Sequence, residues 1–278
     1  MTAILLALLA SVAWGTSDYI GGRATRHRHV LAVLSLTRVA GLLALGLLVL
    51  VTSAPWIGDD WPAAAAAGVV LFGGILCLYQ ALAIGPMSIV APLFSTGAIV
   101  PVLWGFVSGE EPGALSLVGL AAAIAGCVLS ARAPAPVEMR TRPAGIAFAL
   151  GAALGLGSGL ALLDAAAEQS ALTAVLVARA VEMTLIAIVA VGLWRRIGPQ
   201  LRGAGLLPLA GVIDISAQAL FALASRTGLL PVVAVLSSLY PVVTVLLARA
   251  LLDERLSRVQ TAGAALTLAG VGVVAAAS

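Results

Sequence analysis

The sequence predicts an all-α integral membrane protein with ten transmembrane helices arranged as two inverted five-helix repeats. Three observations predict it: the composition, the spacing of the apolar runs and a likeness between the two halves. Of the 278 residues 62% are hydrophobic and only 10% charged, against roughly 25% charged in a soluble domain. Mean hydropathy is +1.13. A soluble globule of this size has no interior large enough for so much apolar surface, so lipid must be the solvent. The same numbers exclude a disordered chain, a soluble secreted protein and a coiled coil.

A helix needs about 20 apolar residues to cross the ~30 Å hydrocarbon core. Ten such runs follow one another, spans 1 to 10: 4–22, 30–52, 63–84, 88–108, 114–131, 144–166, 172–194, 204–225, 229–251 and 259–277. The first has no basic stretch before it and ends in Trp14-Gly15-Thr16-Ser17-Asp18 with no clear cleavage site, so it reads as a span and not as a signal peptide. The longest connection, 132–143, holds Pro134, Pro136 and Pro143 with Arg132, Arg140 and Arg142. It divides an N-terminal repeat, 1–131, from a C-terminal repeat, 144–278. Trp56, Trp61 and Trp194 fall at run ends, where interface aromatics belong. Cys77 and Cys127 lie inside apolar runs and form neither a metal spacing nor a disulfide framework; they read as packing residues.

All 15 basic residues are arginine. The connections after spans 1, 5, 7 and 9 carry Arg23, Arg26 and Arg28, then Arg132, Arg140 and Arg142, then Arg195, Arg196 and Arg202, then Arg249, Arg255 and Arg258. The opposite connections hold one, Arg226, together with Asp59, Asp60, Glu110 and Glu111. Cytoplasmic loops carry the arginine excess, so this asymmetry puts the odd-numbered connections in the cytoplasm and both termini outside. The basic balance therefore reports orientation, and no nucleic-acid partner is expected.

The halves repeat one another. Leu36-Thr37-Arg38-Val39-Ala40 echoes Val177-Ala178-Arg179-Ala180-Val181, Ala81-Leu82-Ala83 echoes Ala222-Leu223-Ala224, and Pro101-Val102 echoes Pro241-Val242. Gly109-Glu110 followed by Gly119 and Gly126 echoes Asp253-Glu254 followed by Gly263 and Gly270. Five spans is an odd number, so the second copy enters the membrane upside down. Inverted repeats mark secondary transporters, with substrate bound near the midplane where the repeats meet.

Charged groups inside the membrane are costly and are functional candidates by default. Arg249 apart, at the very end of span 9, six fall within spans: Asp18, Arg38, Asp164, Arg179, Glu182 and Asp214. At about 1.5 Å of rise per residue, Asp18 and Arg38 share the inner half of the bilayer and Asp164 and Arg179 the outer half. They are expected to form two structural or gating pairs, one per leaflet. Glu182 and Asp214 fall near the midplane as surplus acids, suited to charge relay, a coupled proton or a substrate amine; Glu182 also stands at i,i+3 from Arg179, an intrahelical alternative. Trp14, Tyr79, Gln80, Trp104, Gln218 and Tyr240 are candidate cavity walls or substrate contacts, and Gln218 lies one turn after Asp214. Pro92 and Pro101 in span 4, with Pro231 and Pro241 in span 9, are candidate hinges. Ser95, Thr96, Ser237 and Ser238 stand ready to take up the carbonyls that proline frees. The matched glycines of spans 5 and 10 would pack the halves together or form a homodimer.

The chain resembles bacterial EamA-type members of the drug/metabolite transporter superfamily over its whole length. The resemblance rests on Trp14-Gly15-Thr16-Ser17-Asp18 with Gly21-Gly22, on Ser88-Ile89-Val90-Ala91-Pro92, on Gly109-Glu110, and on Ser237-Ser238-Leu239-Tyr240-Pro241 through Asp253-Glu254-Arg255-Leu256-Ser257. Glu111 departs from the basic residue common after Gly-Glu, and the arginine distribution departs from the cytoplasmic termini drawn for many members. The resemblance implies a multi-pass protein of the bacterial plasma (inner) membrane that effluxes small metabolites, amino acids among them, by alternating access around a central cavity.

The expected function is thus secondary-active export of amino acids or similar small amine-bearing metabolites, with the proton as a candidate coupling ion. The alternatives are export of cationic drugs, or a lipid flippase or scramblase. An enzyme is not expected: the two histidines, His27 and His29, sit in a basic loop, and no metal cluster, nucleophile–base pair or phosphate-cradling glycine loop is present. No cofactor or metal is expected, and the partners are the small-molecule substrate and membrane lipid.

Overall fold

The computed structural model describes the chain except at residues 26, 85–89, 91, 92, 95, 131–142, 202, 241, 244–246, 248–257 and 278. Among the described residues all regular structure is helical. The α-helices are α1 (Thr2–Thr25), α2 (Val30–Thr52), α3 (Trp61–Ile84), α4 (Ile99–Val107), α5 (Ala114–Ser130), α6 (Pro143–Ala166), α7 (Ala171–Gly192), α8 (Trp194–Ile197), α9 (Leu207–Ser225), α10 (Leu230–Ser237) and α11 (Arg258–Ala277). Short 3-10 turns occupy Gly58–Asp60, Thr96–Ala98 and Gly198–Leu201.

Each expected span contains a described helix. Six are long and apolar enough to cross a membrane: α1, α2, α3 with the turn before it, α6, α7 and α9. Thr96–Val107, Ala114–Gly126 and Ala265–Val274 are shorter apolar segments. Outward-facing leucines and valines such as Leu43, Leu47, Leu50 and Val51 are well exposed, as they must be when lipid is the solvent. Trp61 and Trp194 are exposed at helix ends and Trp56 is exposed in the connection between α2 and α3, positions of interface anchors. The connector expected at 132–143 lies outside the described residues except for Pro143, which opens α6.

Packing follows the small residues. Helix α3 lies against α6, α1 against α9, and α5 against α11; α2 crosses both α9 and α7, and α3 also packs on α7. Exchanging spans 1–5 for spans 6–10 maps the α3–α6 pair onto α9–α1, the α2–α9 pair onto α7–α3, and α5–α11 onto itself. Close backbone approach at these crossings requires glycine. A Cβ on Gly68 would stand 2.3 Å from the carbonyl oxygen of Ala178, and one on Gly211 would stand 1.9 Å from that of Thr37. The glycines of spans 5 and 10 meet within one chain. A Cβ on Gly119 would come within 2.9 Å of the Gly270 carbonyl oxygen, and one on Gly126 within 2.6 Å of that of Gly263. Thr267 Oγ1 donates to the Gly263 carbonyl at 3.0 Å beside this seam.

The proline expectations change. Pro231 falls in the first turn of α10 and Pro101 is the third residue of α4. First-turn N–H groups have no intrahelical partner, so proline there starts a helix and does not bend one. Pro92 and Pro241 lie outside the described residues. Helix α10 stops at Ser237 and α4 starts only after a 3-10 turn, so spans 4 and 9 are interrupted and not merely kinked. The hydroxyls bond one turn back: Thr96 to Leu93, Ser237 to Val233 and Ser238 to Val235. They do not take up the carbonyls of residues 97 and 237, which lie four before Pro101 and Pro241. Ser95 lies outside the described residues.

Candidate functional site

Arg38 on α2 and Arg179 on α7, matched between the halves, converge where their helices cross. Helix α9 brings Asp214 and, one turn later on the same face, Gln218; helix α7 brings Glu182 one turn after Arg179. Arg38 Nη1 donates to Asp214 Oδ2. Arg179 Nη2 donates to the same oxygen at 2.6 Å and to Gln218 Oε1 at 2.8 Å. Glu182 spans the pair from the other side, its Oε1 lying 2.9 Å from Arg38 Nε and its Oε2 lying 2.9 Å from Arg179 Nη1. Those two contacts are ion pairs out of hydrogen-bond alignment, since neither nitrogen has a hydrogen-bond acceptor. All four charged side chains are buried. The result is a closed quartet of two cations and two anions, each touching both opposite charges. In a low-dielectric interior that is the arrangement in which desolvated ions are best compensated.

This corrects the expected pairing. Arg179 pairs with Glu182 and Asp214 and not with Asp164. Asp164 sits near the end of α6, hydrogen-bonded to the Ser225 side chain and facing Arg226 and Glu168. Arg38 likewise pairs with Glu182 and Asp214, while Asp18 stands nearby on α1. Asp214, expected to lack a partner, has two. Depth along a helix fixes a residue's level but not the face it takes, and α7 crosses α2 and α9 at the arginine's level.

The quartet lines a cavity together with residues from several helices. About 90 Å³ is open to the centres of water-sized molecules, several times the ~10–15 Å³ that one water needs on that measure. The aromatic wall is Trp14, Phe94 and Tyr240, the last two with ring centroids 5.2 Å apart. The interrupted spans contribute Gly97, Pro101, Ser237 and Ser238, and α1 contributes Asp18. Thus Trp14, Asp18, Arg38, Pro101, Arg179, Glu182, Asp214, Gln218 and Tyr240 share one site. Tyr79 is buried just behind it, its hydroxyl against Gly21, where a Cβ would come within 2.4 Å. Gln80 is on the exposed side of α3 and Trp104 is 41% exposed; neither lines the cavity, toward which α3 turns Leu71, Ile75 and Leu78 and α4 turns Pro101. Phe94 was not singled out from the sequence. Nothing in an apolar run separates a cavity aromatic from a packing one. Among the described residues no group of three or more His, Cys, Asp or Glu side chains could hold a metal.

Polar ties join segments distant in sequence at both ends of the helices. At the arginine-rich end Arg28 donates to the carbonyls of Gln200 at 2.7 Å and Gly203 at 2.5 Å, and Gln200 Oε1 accepts the His29 N–H at 2.5 Å. At the other end Glu110 Oε2 accepts the Leu230 N–H at 2.5 Å and so caps α10 from the first half of the chain. Burial pushes the Glu110 carboxyl above its ordinary value, opposed by that hydrogen bond.

Comparison with known proteins agrees with this architecture. A solved structure described as "Crystal structure of protein" superposes with a TM-score of 0.77 at 19% identity, covering 98% of this chain and 95% of its own; at that identity it shares the fold. No curated protein matches. The EamA-like transporter family matches over residues 1–132 and 143–276. The chain belongs to that family, a membrane-transporter family of the drug/metabolite transporter superfamily.

Proposed function

We propose that the protein exports small amine-bearing metabolites, amino acids foremost, across the bacterial inner membrane by alternating access, driven by protons. The observation that carries this reading is the cavity itself. Its lining combines guanidiniums and carboxylates with the aromatic rings of Trp14, Phe94 and Tyr240. A zwitterion with an apolar side chain matches both kinds of group, its carboxylate toward the arginines and its ammonium toward the acids. Pockets of this kind are mostly apolar with a few polar groups that fix orientation. The space favours a compact metabolite over a bulky cationic drug or a lipid.

Two inverted five-span repeats, joined through 132–143, are part of the proposal. The packing that maps onto itself when the halves are exchanged supports them, as does the meeting of the matched Arg38 and Arg179. Both termini outside is the orientation that the arginine distribution supports. The site residues are Trp14, Gln218 and Tyr240 for substrate, with the Arg38–Arg179–Glu182–Asp214 quartet fixing polarity. The test is uptake and counterflow in proteoliposomes over a panel of amino acids, other small amines, cationic drugs and fluorescent lipids. Transport of amino acids or small amines is expected; transport confined to drugs or lipids overturns the reading.

A further inference from the structure

The quartet leaves one acid over. Among the described residues the cavity is lined by two arginines and three carboxylates, those of Asp18, Glu182 and Asp214. Glu182 and Asp214 each touch both arginines. A proton placed on either would leave the two guanidiniums facing a single carboxylate, at the penalty of a buried uncompensated charge. Asp18 is half-buried in the cavity wall and has neither an ion pair nor a hydrogen bond to a described residue. The charged groups that face it are Arg38 from α2 and Asp214 from α9, with the Tyr79 hydroxyl from α3; Tyr240 shares the cavity wall. Arg38 is already held by two acids, so among the described residues Asp18 faces Asp214 without a cation of its own.

A carboxylate within a membrane span and without an ion pair of its own is costly unless it meets a counter-charge or a proton. We infer that Asp18 is the coupling residue, the carboxylate that takes up one proton from the outer water and releases it to the cytoplasm in each export cycle. Nothing covalent changes: the carboxylate becomes a carboxylic acid on one side and reverts on the other. The inference rests on the transport reading above and moves the coupling role from Glu182 and Asp214, where sequence alone put it, to Asp18.

Two measurements test it. In proteoliposomes the wild-type protein should accumulate an amino acid or small amine against its gradient when only a pH difference is imposed. Asp18→Asn should lose that accumulation and keep counterflow, which needs no net proton movement. Accumulation by Asp18→Asn, or none by the wild type alongside active counterflow, overturns the inference while leaving amine transport standing. The second measurement needs no substrate. Infrared difference spectra of the purified protein, titrated between about pH 5 and about pH 9, should show a protonated-carboxyl band that is absent in Asp18→Asn and shifted in Asp18→Glu. Persistence of the band in a folded Asp18→Asn variant, or its absence from the wild type, overturns the assignment whatever the substrate. Failure of the wild type to move any amine, with the band present, would overturn the proposed function alone.

Discussion

Neutralising Asp214 should destabilise the protein more than any other single conservative change in the site. Its Oδ2 accepts from both Arg38 and Arg179. Hydrogen bonds to charged groups contribute about 1.5–3 kcal/mol each, so weakening two of them in Asp214→Asn costs about 3–6 kcal/mol. An independent route, the loss of one partner from a buried ion pair, gives about 3–5 kcal/mol. The two agree because both describe guanidiniums left with too little negative charge. At ~2–4 °C per kcal/mol for chains of comparable length, the melting temperature of the detergent-solubilised protein should fall by roughly 10 °C. A double-mutant cycle separates charge balance from lost packing. Arg38→Gln with Asp214→Asn restores a one-to-one ratio and should be less destabilised than the sum of the single changes. Transport should be lost in Asp214→Asn while membrane insertion persists. Melting within about 2 °C of wild type, or strict additivity in the cycle, would refute the closed-quartet reasoning.

Gly126→Val should separate α5 from α11, since its Cβ would stand 2.4 Å from the Thr267 nitrogen; overpacking of about 1–3 kcal/mol should lower the monodisperse yield on size exclusion, whereas Gly73→Val, with nothing within 4 Å of its Cβ, should not. Gly21→Ala should reduce thermostability by driving a methyl into the Tyr79 hydroxyl, and Tyr79→Phe should restore part of the loss in the double variant. Glu110 tests pH dependence: its carboxyl is raised in the folded chain, so folding binds a proton there and its contribution is lost as pH rises through the folded value. Glu110→Gln, which can still accept the Leu230 N–H, should flatten the decline of thermostability from acid toward neutral pH; an unchanged slope counts against the assignment.

The parts of the fold visible in the sequence are those set along the membrane normal. Of the ten apolar runs, six hold helices long and apolar enough to cross a membrane and the others hold shorter apolar helical segments, and matched glycines seven residues apart in spans 5 and 10 became the α5–α11 seam. Asp214 and Gln218 line the cavity, as charged and amide groups deep in a span are apt to; Trp14 and Tyr240 line it too, although an aromatic at that depth packs as readily. What sequence could not show is azimuth. In a soluble helix the polar face points outward and fixes rotation, but here lipid and core are both apolar, so neither Gln80 nor Trp104 carries a mark saying which way it points. The pairing of Arg179 failed for the same reason: Asp164 shares its leaflet, but not its face of the bundle. Pro101 and Pro231 stand near helix starts, which sequence could not show because the 3-10 turn at Thr96–Ala98 has no distinct composition.

Stability does not explain why the quartet exists. Replacing a buried ion cluster by well-packed apolar side chains is often neutral or stabilising by about 1–4 kcal/mol, although removing a single member is costly. The membrane sharpens that contrast, because every unpaired charge there has lipid, not water, as its alternative. Simultaneous Arg38→Met, Arg179→Met, Glu182→Leu and Asp214→Leu should therefore insert, fold and melt no lower than wild type, although Asp214→Asn alone melts well below it. The same four-fold variant should transport nothing, since a zwitterion would meet an apolar wall where it met charge. Retained transport would make the quartet a packing device and remove the basis for placing substrate there. Failure to fold would instead show that the charges hold α2, α7 and α9 together. The predicted split, stability kept and transport lost, is the outcome in which the cluster is retained for what it binds.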